Sequence, residues 1–357
     1  MFNFSQLKQL HLEISNNCQA GCPWCLRNYN SGIANPLLKI KNWSLEEFQR
    51  IINPEVMSQL RVLNFLGNSG DAQMNNDLPE MCKYAKKINP SINIKIHTNG
   101  GMRNTSWWED LVQCLPEKHI LIFGIDGLED TNHIHRVGVR FEKVIENAKA
   151  FINAGGKAQW SFLVFKHNEH QLETARALSK ELRFCNFEVK HSSRFFDSKD
   201  KPVMDASGNI LYSISPPTVT PVKFYTKQMV DTIDKIVTES TGIQCFADNH
   251  KEIYIDAHKN VYPCCWLGYL PIVYDPGYTS DIHSRMLDQL NVVIDKIGNI
   301  NALTSSLEEI LNSDAWQNSF DDAWKESGLI KCVDACGKNT PMPDQMQEFV
   351  ESYTQLR

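Results

Sequence analysis

Six times between residue 8 and about residue 190, a short apolar stretch is followed by a longer amphipathic one. KQLHLEI, RVLNFLG, INIKIHT, HILIFGI, AQWSFLVF and NFEVK have the length and patterning of strands. The segments between them read as helices with identifiable ends. Ser44 and Glu47 make a capping box ahead of LEEFQRII, Thr105 is placed to cap WWEDLVQCL, and Asn168 to cap EHQLETARALSKEL. RFEKVIENAKAFINAGG stops at a glycine pair. Strands alternating with helices imply a parallel sheet with right-handed crossovers, here six βα units.

In such arrays the chemistry gathers beyond the C-terminal ends of the strands, because the loops there converge on one mouth. The first strand runs into NNCQAGCPWC (16–25), the second into GNSGD (67–71), the third into TNGG (98–101) and the fourth into GIDG (124–127). Each of the last three alone is only a turn. Together, beside a cysteine cluster, they outline the rim of a pocket.

Eleven cysteines give the second constraint. A formal charge of -6 argues against a nucleic-acid partner held through phosphates. No run of about 18 apolar residues is present, and MFNFSQLKQL lacks the basic and apolar regions of a signal peptide. A cytoplasmic, membrane-free protein is expected. In a reducing compartment the cysteines then read as metal ligands or buried apolar residues rather than disulfides. Cys82, Cys114 and Cys185 are isolated and are expected to be small buried residues. Cys18, Cys22 and Cys25 form one group, and Cys245, Cys264, Cys265, Cys332 and Cys336 lie in the last third.

Zinc is the generic occupant of clustered cysteines, but structural zinc sites close all four positions. The first group offers three thiolates and no nearby fourth ligand. An iron–sulfur cluster tolerates that, leaving one iron open to a small molecule.

Cys18-x3-Cys22-x2-Cys25 after the first strand of a βα array resembles the signature of the radical S-adenosylmethionine (SAM) superfamily. The resemblance covers residues 8 to about 190 and implies a partial (βα)6 TIM-like barrel. It implies a [4Fe-4S] cluster on the three cysteines, with SAM chelating the fourth iron. Reductive cleavage then yields methionine and a 5′-deoxyadenosyl radical that abstracts a substrate hydrogen. An electron donor of flavodoxin or ferredoxin type is implied as a partner. The same resemblance assigns Trp24 to the adenine and Ser69, Gly70 and Asp71 to the SAM amino group, where Ser69 and Asp71 depart from the usual Gly-Gly-Glu. Asn99, in the TNG of the third strand end, and Asp126 fall at further cofactor-binding positions. Arg136, in IDGLEDTNHIHRVG, is assigned to the SAM carboxylate, a role that suits a guanidinium. Gly124 stands where a hydroxyl residue is commoner.

KEIYIDAHKNVYPC reads as a β-hairpin, which sets Cys264 near a second short-spaced pair and suits a four-thiolate site. The region resembles the auxiliary-cluster domains of SPASM and twitch enzymes. With five cysteines beyond residue 240, the shorter twitch form is the better match. It implies an auxiliary [4Fe-4S] cluster on Cys245, Cys264, Cys332 and Cys336. Cys264 and Cys265 face opposite sides if extended, so one of the two is a ligand. Lys259 replaces the usual glycine, and Asn260 beside it can take a positive-φ turn. A structural zinc in a four-cysteine site is the alternative.

The expected organisation is therefore a core over 1–196, a linker and bridging helix over 197–240, an α+β auxiliary domain over 241–340, and a tail over 341–357. Three functions fit: oxidation or dehydrogenation of a sugar, aminocyclitol or amino-acid derivative; radical modification of a ribosomal peptide or protein; and a non-catalytic metal scaffold. Lys190, His191 and Arg194 near the sixth strand are candidates for holding an anionic or hydroxylated substrate.

Overall fold

The computed structural model describes residues 1–192, 195, 200–218, 242–273, 281–326 and 329–337. The expected bridging helix at 225–240, Arg194 and the tail from Pro341 lie outside the described residues. The strands are β1 (Gln9–Leu12), β2 (Asn28–Tyr29), β3 (Ile33–Ala34), β4 (Val62–Phe65), β5 (Asn93–Thr98), β6 (His119–Gly124), β7 (Ala158–Val164), β8 (Asn186–His191), β9 (Lys201–Met204), β10 (Ile210–Ile214), β11 (Glu252–Ile255) and β12 (Val261–Tyr262). The main sheet runs β12-β11-β1-β4-β5-β6-β7-β8, parallel except for β12.

The six expected strands are thus consecutive neighbours, as a βα array requires. What the sequence does not announce is the edge: β11, from the far end of the chain, pairs in parallel with β1. Local pattern marks EIYI as a strand but carries no information on a partner so distant.

Helices α1 (Leu45–Ile51), α2 (Pro54–Gln59), α3 (Leu78–Ile88), α4 (Thr105–Cys114), α5 (Asn132–His135), α6 (Phe141–Asn153) and α7 (Leu172–Glu181) fill the crossovers. Leu10, Leu12, Leu63, Phe65, Ile94, Ile96, Phe123 and Trp160 are buried and join one core with Phe48, Met81, Trp108 and Phe151 of the helices. Each such side chain contributes about 1.5–3 kcal/mol by leaving water. The alternate residues face the other way and mix polar side chains with the apolar Val62, Ile122 and Leu163. His11, Asn64 and Lys95 are register partners across β1, β4 and β5, and Gln9 partners Glu252 across β1 and β11. All five are buried.

Local signals held in part. The Ser44–Glu47 capping box is formed at α1. At α4 the cap is Asn104, whose side chain accepts from the Trp107 N–H, and Thr105 is the first helical residue. Asn168 does not cap its helix. It is buried, accepts from the Phe165 N–H and donates to the carbonyls of Asp126 and Leu163, so it clamps two strand ends instead. Cys82 and Cys114 are buried as expected, whereas Cys185 is exposed beside the start of β8. The span expected as a plain linker contains the β9–β10 hairpin, turned by the Asp205 carboxylate, which accepts from the Ser207 and Asn209 N–H groups. Val203 and Ile214 of this hairpin pack with Phe165 and Phe195.

Candidate active site

The loop after β1 carries the first cysteine group to the mouth of the sheet. Cys18, Cys22 and Cys25 are each half-buried. A turn closed by Cys25 N–H on the Cys22 carbonyl, with Trp24 at φ 58, folds the second pair together. The thiols sense one another: Cys18 is influenced by Cys22 and Cys25, and Cys22 by Cys25. Burial pushes the Cys18 thiol up to about 12, with Asp71 adding to it. Burial also pushes Cys22 up to about 11, against the pull of the Arg136 guanidinium.

The other strand ends converge on this loop. Asn99 Nδ2 donates to Cys18 Sγ at 3.4 Å, and Asn99 Oδ1 accepts from Gln19 Nε2 at 2.6 Å. Asp71 accepts from the Asn99 N–H at 2.7 Å and from the Gln73 side chain at 2.9 Å, so it ties the second strand end to the third. Gly70 lies so close to the first loop that a Cβ there would stand 2.0 Å from the Ser15 carbonyl oxygen. Ser69 is buried, with both its N–H and its hydroxyl bonded to Glu13.

Arg136 follows α5, and its Nε stands 2.6 Å from Asp126. Asp126 also accepts from His135 Nδ1 at 2.7 Å and from the Leu163 N–H at 2.9 Å, so both its oxygens are engaged within the protein. Burial alone would raise its pKa, but Arg136 and His135 outweigh it and hold it at about 2. Trp24 packs edge-on against Phe195 at 5.5 Å, beside the β9–β10 hairpin.

The second cysteine group also gathers. Cys245 precedes the helix Phe246–His250, Cys264 follows β12, and Cys332 and Cys336 lie one turn apart on the helix Ile330–Cys336. The Gln244 N–H donates to the Cys336 carbonyl at 2.9 Å, which brings the two chain segments side by side. Cys264 feels Cys332, Cys245 and Cys336, and Cys332 feels Cys245 and Cys336. Cys265 instead faces Glu252 and Glu13, towards the sheet. Its thiol is pushed by burial up to about 12.

In the turn of the β11–β12 hairpin it is Lys259, not Asn260, that takes the left-handed conformation, at φ 71. Its ammonium is 2.9 Å from Glu47 of the α1 capping box, which anchors a residue that glycine would otherwise replace at less strain. Of the expected basic group, Lys190 shares the face of Glu188 and lies 3.2 Å from it, while His191, one residue on, points to the opposite face.

Residues 12–178 match the Radical SAM superfamily profile. Over that stretch the chain is similar to the radical SAM superfamily. The fold is shared with solved structures: SuiB of Streptococcus suis bound to S-adenosylmethionine superposes with a TM-score of 0.55 at 16% identity, over 91% of this chain and 72% of that one. SuiB bound to the precursor peptide SuiA gives 0.53 at 15% identity, over 91% and 70%. The anSMEcpe enzyme with bound AdoMet gives 0.51 at 14% identity, over 97% and 92%. At these identities the likeness is one of fold. The comparison with curated proteins gives no match.

Cys18, Cys22 and Cys25 on one loop are donors of the kind that an iron–sulfur cluster takes. Among the described residues no three His, Cys, Asp or Glu side chains stand close enough to hold a single metal ion. Two buried polar groups beside the Ser69 loop were not singled out by sequence reading: Glu13 and Tyr254. An acid among apolar residues in HLEIS was the available signal for the first.

Proposed function

We propose that the protein is a radical SAM enzyme that takes a hydrogen atom from a small polar molecule, such as a sugar, aminocyclitol or amino-acid derivative, in a net oxidation. The polar face of the sheet carries this reading. In a filled barrel that face is apolar; here it presents His11, Asn64, Lys95, His97, Gln159, Glu188 and Lys190, beneath the mouth that holds Cys18, Cys22 and Cys25. His97, Ser161 and Lys190 at its upper end are partly exposed. Burial holds the His97 imidazole neutral, with Lys190 and Lys95 adding to the effect, so it can both donate and accept. Gln159 donates to Glu188 at 2.6 Å, and Glu188 faces Lys190. Beside Ile122 and Leu163 on the same face, these groups match a ligand that carries hydroxyls or amines.

Cys18, Cys22 and Cys25 would hold a [4Fe-4S] cluster with one iron open to SAM. That group supplies an electron that splits the sulfonium and so generates the hydrogen-abstracting radical. Arg136, held by Asp126, would meet the SAM carboxylate. Ser69, Gly70 and Asp71 form the backbone edge for its amino group, Asn99 braces Cys18, and Trp24 flanks the adenine. Cys245, Cys264, Cys332 and Cys336 would hold an auxiliary cluster able to accept the second electron, and a small flavodoxin- or ferredoxin-type donor would supply the first.

A second reading, modification of a peptide, is favoured by one observation. Ile210 and Leu211 on the hairpin beside Trp24 are exposed apolar residues, a surface an extended chain could use. SuiB is a protein of this fold whose structure includes a peptide.

Anaerobically reconstituted protein given SAM and a strong reductant should release 5′-deoxyadenosine. No release from protein with its first cluster intact would overturn the assignment.

A further inference from the structure

Glu13 lies one residue beyond β1 and is buried, and each of its carboxylate oxygens takes a hydrogen bond. One carboxylate oxygen accepts from both the Ser69 N–H and the Ser69 hydroxyl, the latter at 2.9 Å. The other accepts from the Tyr254 hydroxyl at 2.5 Å. Ser69 begins the strand-end loop pressed against Ser15 through Gly70. Tyr254 sits in β11, the strand that the C-terminal cysteine hairpin lays beside β1, and the Glu13 N–H donates to Ile255 of the same strand at 3.0 Å.

Tyr254 is itself fixed from the auxiliary side. Its ring stands edge-on to His11 at 4.9 Å, and the helix Cys265–Gly268 lies so close that a Cβ on Gly268 would be 2.4 Å from it. That helix begins one residue after Cys264. A continuous path therefore runs from the second cysteine site through Gly268, Tyr254 and Glu13 to Ser69. A buried carboxylate is costly, and it is kept where a fixed geometry is needed at its partners.

We propose that Glu13 and Tyr254 are positioning residues through which the C-terminal cysteine hairpin sets the SAM-contacting loop Ser69–Asp71. The link rests on the function proposed above. It predicts that SAM affinity depends on two residues that touch neither SAM nor a cysteine ligand.

The test uses reconstituted full-length protein, with SAM binding measured anaerobically by calorimetry and iron content and melting temperature recorded for each variant. Glu13→Leu should weaken SAM binding about tenfold or more, and Tyr254→Phe by about threefold to tenfold. Glu13→Gln should restore affinity to within about threefold, because its carbonyl can take both Ser69 donors while its amide donates to the tyrosine oxygen. Leu and Phe variants that bind SAM as the wild type does, with the first cluster in place, overturn the link. So does a Gln variant as weak as the Leu variant, since that marks a merely structural role. Should Glu13→Leu fail to fold, Tyr254→Phe decides: unchanged affinity overturns the link. A wild type that binds no SAM would instead overturn the functional reading on which the link stands.

Discussion

Arg136 reaches Asp126 at 2.6 Å across a space that exists because residue 124 is glycine: a Cβ there would lie 2.4 Å from the guanidinium. The missing hydroxyl at position 124 and the placement of Arg136 are therefore one feature. Asp126 is 1% exposed, and removing its charge would leave the guanidinium without its partner.

Asp126→Asn is accordingly expected to cost about 3 kcal/mol of stability near neutral pH. The pH dependence has a definite sign. The folded-state pKa is held at about 2, below the ordinary 3.8, so this stabilisation is present above about 4 and fades as pH falls towards 2. Urea denaturation at several pH values checks it: the gap between wild type and variant should narrow on acidification. A gap that stays constant would mean that the pair is not what stabilises this loop.

Lys259 offers a substitution in which two effects oppose. Glycine would relieve the left-handed backbone but remove the ion pair with Glu47. Lys259→Gly should therefore stay within about 1 kcal/mol of the wild type. Lys259→Ala keeps the strain and loses the pair, and should fall about 1–2 kcal/mol below it. Thermal melts of the two variants suffice. Equal stability of the Ala and Gly forms would show that backbone strain at this turn is not felt.

These two sites also show what sequence could and could not supply. Strand and helix periodicity located six parallel strands and the helices between them, because inward and outward faces differ along each strand: Leu10 and Leu12 look to the helices, Gln9 and His11 away from them. The loops with Cys18, Ser69 and Asn99 were legible for the same reason, since strand direction fixes where they end. The pairing of β11 with β1 was not, being a contact between residues about 240 apart in the chain with no local signature. Nor was the turn conformation of Lys259 legible, because the compensating partner, Glu47, lies in another element. Asn168 misled for a related reason. Its side chain had a cap's chemistry but found strand carbonyls closer.

Glu252 gives a prediction of opposite sign to Asp126. It is buried at the register partner of Gln9, and Oε2 of the one and Oε1 of the other are acceptors without a hydrogen-bond partner. A proton on Glu252 would supply the missing donor. Burial, partly opposed by Lys95, raises its pKa to about 7 from the ordinary 4.5. The folded chain thus holds a proton that the unfolded chain releases, so this contribution is fully present below about 4.5 and is lost as pH rises through 7. Glu252→Gln mimics the protonated form. It should melt close to the wild type at about pH 5 and be more stable at about pH 8, by at most about 3 kcal/mol. The same offset at both pH values would indicate that Glu252 titrates normally.

Cys264 and Cys265 are adjacent but face different surroundings: Cys264 towards Cys245, Cys332 and Cys336, and Cys265 towards Glu252 and Glu13. If the former set holds an auxiliary cluster, the two alanine variants should separate cleanly. Cys264→Ala should lose about four irons per chain on reconstitution, and Cys265→Ala none. The first cluster should remain in both, leaving SAM cleavage measurable, because Cys18, Cys22 and Cys25 belong to a separate loop. Cys265→Ala should show a packing loss of no more than about 1–2 kcal/mol, as for any small buried thiol. The assignment is falsified if Cys265→Ala loses the irons while Cys264→Ala retains them. Equal iron in the wild type and in Cys264→Ala, at one cluster per chain, would remove the auxiliary cluster altogether.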